Sequence, residues 1–219
     1  MTNSDSDGLF ENDWEDRGEL AWTEADWQKY LGEQEEAVRN YIKHYDQLPE
    51  AMDRIDEAAR LMGWELAETP EAEAEDDAKE VEDEVFDGEW DPYTLHRNPV
   101  YISTRALYLS LLAHWERVAA QPDRVPAALG ITLQALLYRG YEQALQAAQA
   151  LEMGDYTLAV CLFKRALREL NLTLARLSQP DVAAPLAVRY REYALPRLFD
   201  LREIWLRVMN ECRTSDPEE

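Results

Sequence analysis

Apolar side chains recur at helical spacing through the second half of the chain. Between residues 93 and 213 they fall on one side of four successive stretches when positions are plotted at 100° per residue. Cap and turn residues separate the stretches, namely Asn98-Pro99, Val125-Pro126, Gly154-Asp155 and Gln179-Pro180-Asp181. Long helices with short connections predict an antiparallel four-helix bundle over 93–213, in which the last helix runs from about Val182 to Cys212.

The apolar faces of these helices differ in width and in residue size. The first covers more than a third of its circumference, which is typical of a central helix. The second combines Gly140 with several alanines, a strip of small residues that lets a neighbouring helix approach closely.

A helical hairpin is predicted over residues 23–64. Thr23 and Asp26 have the spacing of a capping box, and Trp22 can pack onto Trp27 as a hydrophobic staple. The apolar positions of the two helices are Trp27, Leu31, Val38, Tyr41, Ile42 and Tyr45, then Leu48, Met52, Ile55, Ala59 and Met62. Each helix therefore has one apolar seam, which stays exposed unless something covers it.

The net charge of −23 comes from the front of the chain. Residues 1–92 hold 31 Asp/Glu and 7 Lys/Arg, whereas residues 93–219 hold 14 and 15. Residues 65–92 alone have 14 acids and one base, which predicts an extended acidic linker because like charges repel. We expect residues 1–22 and 214–219 to be disordered tails. The predicted fold is all-α, with the hairpin and the linker preceding the bundle.

Composition also indicates the compartment and excludes classes of partner. The chain has no apolar leader and no run of about 18 uncharged apolar residues, so we expect a cytoplasmic protein that does not bind membranes. Cys161 and Cys212 lack the spacing of a disulfide framework or a zinc site. The negative charge argues against direct binding to nucleic acid or anionic lipid, because both attract Lys and Arg.

Arg197 is the most unusual polar residue of the predicted bundle. It falls on the apolar face of the last helix, on which Tyr190 and Tyr193 also lie. A buried arginine needs a partner, and Asp200 is the nearest carboxylate in sequence. These four residues are a candidate buried polar site in a binding cavity. The alternatives are a structural ion pair, or a kink at Pro196 that turns Arg197 to solvent.

Aromatic residues near the start of the chain are candidates for binding a partner. Phe10, Trp14 and Trp22 lie among acids, and such a stretch can dock into a groove on another protein. The alternative is that these side chains pack on the protein's own surface.

The third helix of the predicted bundle has two surface features. Lys164, Arg165 and Arg168 cluster on its outer face, where they can receive the acidic linker or remain a solvated face. Cys161 lies opposite the main apolar stripe, and we expect the N-terminal hairpin to cover it together with Leu158 and Leu172.

The chain contains no motif that points to catalysis, a cofactor or a metal. It lacks Glu-x-x-His, the phosphate-binding glycine loop, the nucleophile-elbow pattern and a calcium-binding loop. We therefore expect a protein that is not an enzyme and that uses no cofactor and no metal.

Three functions are compatible with this sequence. The first is a non-enzymatic interaction protein, an adaptor or regulatory subunit that binds another protein, either a second copy or a basic partner. The second is an acidic mimic of nucleic acid that masks a basic DNA- or RNA-binding protein. The third is a helical-bundle enzyme or small-ligand binder with a pocket near Arg197.

Overall fold

The computed structural model describes residues 22–49, 51, 53–64, 94–121, 123–179 and 184–215. This part of the chain is all-helical and contains no strand, as predicted. Its α-helices are α1 (Glu24–Asp46), α2 (Arg54–Leu61), α3 (Pro99–Ala119), α4 (Ala127–Glu152), α5 (Tyr156–Leu177) and α6 (Pro185–Ser215), and a 3-10 turn at Leu95–Arg97 precedes α3. Residues 1–21 of the predicted tail, the predicted linker 65–92 and residues 216–219 lie outside the described residues.

Side-chain caps begin three of the helices. The Thr23 hydroxyl accepts from the Asp26 amide at 3.3 Å, and the Asp26 carboxylate accepts from the Thr23 amide at 2.8 Å, which completes a capping box. Asn98 accepts from the Tyr101 amide at 3.0 Å, and Asp155 accepts from an amide in the first turn of α5 at 2.9 Å. These caps satisfy amides that have no partner within the helix. The predicted starts at Thr23, Asn98 and Asp155 are confirmed.

The central helix of the fold is α3. Of its 21 residues 11 are buried, and it packs against α1, α4 and α6. The Trp205 indole donates to the Thr104 hydroxyl at 3.1 Å, and the Tyr190 hydroxyl donates to the Leu111 carbonyl at 3.2 Å. Because the later residue of α3 meets the earlier residue of α6, these two helices run in opposite directions. α5 packs against α4 and α6, so the packed helices form a helical bundle.

Large aromatic side chains fill the core of this bundle. Trp115 and Trp205 are completely buried. The Trp115 indole donates to the Gly130 carbonyl at 3.1 Å, and Tyr108 stacks on Trp205 with ring centroids 6.0 Å apart. Each such ring removes about 150–250 Å² from water, and the indole nitrogens of both tryptophans have a hydrogen-bond partner inside the core.

The bundle itself covers the main seam of the hairpin. Val38, Tyr41 and Tyr45 of α1 and Ala58 of α2 belong to the same buried cluster as the core residues of α3 and α6. Tyr41 is 1% exposed and Tyr45 is completely buried. The hairpin is therefore packed into the same core as the bundle.

The first turns of α1 differ from the predicted seam. The apolar pattern places Trp27 and Leu31 on the buried side, but their exposed fractions are 36% and 51%. Tyr30 and Gln34 are buried instead. The Arg105 guanidinium donates to the Gln34 side-chain oxygen at 3.0 Å, which allows a polar side chain to take a buried position.

The outer face of α5 also differs from expectation. The sequence predicts that the hairpin covers Leu158, Cys161 and Leu172, but all three are exposed. The hairpin packs on α3, whereas α5 packs on α4 and α6. The prediction is wrong because the periodicity of one helix does not say which neighbour lies opposite it.

Two helices begin or end away from their predicted limits. α2 begins at Arg54, so Leu48 precedes it, and Met52 lies outside the described residues. α6 continues through Thr214 and Ser215, two residues that the sequence assigns to a disordered tail.

Replacing Gly140 by alanine should destabilise the fold. A Cβ at this position would lie 2.5 Å from the hydroxyl oxygen of Tyr108, a side chain that is buried and stacked on Trp205. Overpacking of this kind costs about 1–3 kcal/mol, which outweighs a helix-propensity gain of about 1 kcal/mol. Urea denaturation followed by circular dichroism measures the change in the free energy of unfolding.

Gly32→Ala is the matched control for this prediction. No atom lies within 4 Å of a Cβ at Gly32, which is inside α1. We expect this variant to be more stable than the wild type by up to about 1 kcal/mol. The packing argument fails if Gly140→Ala stabilises the protein as much as Gly32→Ala does.

Candidate functional site

Arg197 lies on α6 and is buried where this helix meets the hairpin. Its side chain is 10% exposed, and Nη2 donates to Asp46 Oδ1 at 2.5 Å. Nη1 donates to the Tyr193 carbonyl at 3.0 Å, and the guanidinium carbon lies 3.6 Å from the centroid of the Tyr193 ring, within the range of a cation–π contact. The predicted burial of Arg197 is confirmed, and the alternative in which Pro196 turns it to solvent is wrong.

Asp200 binds the hairpin and does not pair with Arg197. Its Oδ2 accepts from the Tyr45 hydroxyl at 2.5 Å and lies 3.6 Å from Nε of Arg54. The Arg197–Asp200 pairing favoured by the sequence is wrong, because the packing of α1 brings a different carboxylate to the arginine. Burial, and then the hydrogen bond to Asp200, raise the pKa of Tyr45 well above its usual range, so the hydroxyl remains a donor.

Tyr190 and Tyr193 extend the cluster toward α3. Tyr190 is completely buried, and its hydroxyl donates a hydrogen bond to a backbone carbonyl of α3. The His114 ring centroid lies 4.2 Å from that of Tyr193 and 5.6 Å from that of Tyr190. Burial first, and then the positive charges of Arg117 and Arg197, lower the pKa of His114.

This cluster joins the hairpin to α6. A further pair, Arg207 Nη1 to Asp56 Oδ1 at 2.6 Å, lies farther along α6. Both terminal nitrogens of Arg197 donate hydrogen bonds to protein groups. The arrangement therefore has the chemistry of a structural contact that orients the hairpin relative to α6. Sequence reasoning missed Asp46 and Asp56 because each is 151 residues from its arginine. No spacing pattern marks such a pair.

Asp46→Ala should destabilise the protein more than Asp56→Ala. The first change leaves the charge of a 10% exposed arginine without its carboxylate, whereas Arg207 is 46% exposed and can be hydrated. We expect Asp46→Ala to lower the free energy of unfolding by about 2–3 kcal/mol and Asp56→Ala by less than about 1 kcal/mol, as measured by urea denaturation. Adding Arg197→Met to Asp46→Ala should restore part of the loss, since it removes the unpaired charge. Equal losses for the two aspartates would contradict the importance of burial.

His114 should contribute to the pH dependence of stability. Its pKa is lowered from 6.5 in the folded protein, so the unfolded chain binds the proton more readily. Stability from this group is therefore complete well above pH 6.5 and is lost as the pH falls through that value and down to the folded pKa. Between about pH 7 and 5, thermal denaturation of His114→Gln should show a smaller decrease in Tm than the wild type. An equal decrease in Tm with falling pH in His114→Gln and the wild type would show that the imidazole remains freely hydrated in the folded protein.

The N-terminal half of α1 displays apolar side chains among carboxylates. Glu24, Trp27, Leu31 and Glu35 are exposed and follow one another at helical spacing, so they form one stripe, which we call the α1 acidic face. Trp22 packs edge-on against Trp27 with ring centroids 4.9 Å apart, as the predicted staple requires. Trp22 is thus half-buried on its own helix.

The exposed side of α5 has the opposite charge. Lys164, Arg165 and Arg168 lie there with Cys161 and Leu172, and we call these five residues the α5 cationic face. Lys164, Arg168 and Leu172 line a shallow, open depression. Within the described part of the chain, no carboxylate lies within salt-bridge distance of these three cations. The cluster predicted from the sequence is therefore exposed and unpaired.

Phe10 and Trp14 lie outside the described residues. Over residues 22–49, 53–64, 94–121, 123–179 and 184–215, no three His, Cys, Asp or Glu side chains come together as a metal site would need. None of the helices described has both the length and the apolar character to cross a membrane.

Comparison with known proteins identifies no relative. No protein-family model, no curated protein and no solved structure matches the chain.

Proposed function

We propose that the protein is a non-enzymatic helical interaction protein, an adaptor or regulatory subunit, that binds another protein through the α1 acidic face. The observation that carries this proposal is the exposure of Trp27 and Leu31, 36% and 51%, on a helix whose other end is anchored in the core by Tyr41 and Tyr45. Apolar side chains on an anchored helix can be bound at little cost in conformational entropy. The scaffold that we propose behind them is an antiparallel four-helix bundle formed by α3 to α6.

The exposed pair has the composition of a binding hot spot. Single exposed apolar residues are common on any protein, but Trp27 and Leu31 lie four residues apart on one face and form a continuous patch. A large aromatic residue at the centre of a small apolar patch typically contributes most of the binding energy of an interface.

The charges around the patch favour a basic partner. Glu24 and Glu35 lie at the two ends of the stripe, and among the described residues neither has a cation within salt-bridge distance. Residues 1–21 and 65–92 add further negative charge to the same part of the chain. A partner with an apolar pocket rimmed by Lys or Arg would match this surface and would be attracted before contact.

Leu31→Ser tests this proposal against a matched control, Ile131→Ser. Both residues are exposed leucine-sized side chains on helices, 51% on α1 and 73% on α4. We expect the tagged full chain, used as bait in an extract of its native host, to recover a defined set of proteins. Leu31→Ser should weaken binding of the purified partner about tenfold, a loss of about 1.4 kcal/mol, whereas Ile131→Ser should leave it unchanged.

Two results would overturn the proposal. One is an unchanged partner affinity in Leu31→Ser, and the other is an equal loss in both variants, which would show a general effect on folding. Circular dichroism and Tm verify that each variant is folded.

The same experiment decides between an adaptor and a nucleic-acid mimic. The observation that favours a mimic is that α1 holds several exposed carboxylates on one ordered helix. A mimic predicts that the recovered partner binds DNA or RNA, and that nucleic acid competes for it with the protein. An adaptor predicts no such competition.

A further inference from the structure

The α5 cationic face is exposed in the part of the chain that the structure describes. Cys161 and Leu172 of this face, and Leu158 beside it, are exposed on the side of α5 that faces neither α4 nor α6. Lys164 and Arg168 lie between these side chains along the helix. The surface therefore combines apolar contact area with closely spaced positive charge.

The positive charge of this face is unusual for the chain. The whole protein has a net charge of −23, yet α5 contains four Lys/Arg and a single acid, Glu169. The Glu169 carboxylate accepts from Arg139 at 3.0 Å and so does not neutralise the outer face. Three like charges close together on one helix repel each other, which favours a ligand with negative charge.

We propose that residues 65–92 of the same chain dock on the α5 cationic face. These residues contain 14 acids and one base, a net charge of −13. They also include Val81, Val85 and Phe86, whose apolar side chains match the exposed leucines of the face. Charge and apolar character thus agree between the two partners.

The length of this segment allows the contact. Residues 65–93 connect Trp64 after α2 to Thr94 before α3, which gives 29 residues between two anchored points. A chain of this length reaches at most about 96–104 Å when extended. Each helix of the bundle is about 10 Å in diameter. The extended segment is therefore longer than the path across the bundle to α5 and back.

Tethering favours this occupant over a separate acidic protein. A linked segment is present at an effective concentration on the order of millimolar, so even weak contacts are populated. A free acidic partner at lower concentration must displace it. The contact is largely electrostatic and exposed, so salt should weaken it.

Cys161 reports on this contact because it lies within the face. We would use Cys212→Ala, which leaves Cys161 as the single thiol, and follow its reaction with N-ethylmaleimide, an uncharged reagent, by mass spectrometry. A segment that covers the face for two thirds of the time slows the reaction about threefold. Raising sodium chloride to about 0.5 M, where the Debye length is about 4 Å, should restore the faster rate.

Two charge-neutralised variants identify the occupant. In the first, the acids of residues 65–92 become Gln or Asn, so the segment keeps its length; we expect the faster rate at low salt and no increase with salt. In the second, the seven acids of residues 1–21 are changed in the same way, and we expect the rate of the parent protein. Circular dichroism verifies that both variants are folded.

Three outcomes would overturn the proposal. Equal rates in the parent and the first variant would show that residues 65–92 do not cover the face. A faster rate in the second variant alone would assign the contact to residues 1–21. A rate that falls as protein concentration rises would show that a second copy covers the thiol. None of these outcomes affects the proposed role of Leu31, which is tested through partner binding.

Discussion

Tyr45 is the residue on which the attachment of the hairpin depends. Its ring is completely buried, and its hydroxyl donates to Asp200. The guanidinium carbons of Arg54 and Arg197 lie 4.9 Å and 5.3 Å from the centroid of the same ring. The hairpin can pack on the bundle only if it covers apolar area and if the polar groups that become buried find hydrogen-bond partners. Tyr45 meets both requirements, since one side chain contributes buried apolar area and a hydrogen-bond donor.

This attachment determines which surfaces of the hairpin remain exposed. Tyr41 and Tyr45 pack the second half of α1 into the core. Trp27 and Leu31, nearer the start of the helix, lie at the edge of the core and remain exposed. The carboxylates of α1 can then stay in water, where their charge costs little. The proposed binding face follows from this packing, since the buried side of α1 holds the exposed stripe of Trp27 and Leu31 in one orientation.

Features that depend on a single helix could be predicted from the sequence. The starts at Thr23, Asn98 and Asp155 follow from local hydrogen bonding, which needs only the residues of one turn. The burial of Arg197 follows from its angular position on α6. The atoms of each cap lie within a few residues of each other along the chain, and the angular position of Arg197 depends only on its place in its own helix.

Features that depend on how helices meet could not be predicted. Asp46 pairs with Arg197 only because the fold brings the end of α1 to α6, and no local pattern distinguishes it from Asp200 as a partner. Gln34 is buried because Arg105 of a different helix reaches it. Cys161 is exposed for the same kind of reason, because the hairpin packs on α3 and not on α5. Packing partners therefore decided these three positions, at which the single-helix pattern was wrong.

The two proposed surfaces would be coupled through electrostatics although they lie on different helices. Residues 65–92 follow the hairpin directly, so their charge contributes to the potential that a basic partner meets near α1. If these residues rest on Lys164, Arg165 and Arg168, part of that potential is neutralised before the partner arrives. A partner then gains less from long-range attraction, and its association rate should be more sensitive to this neutralisation than its dissociation rate, which the contacts of Trp27 and Leu31 would control. The α5 cations would thereby set how strongly the protein attracts a basic partner without touching it.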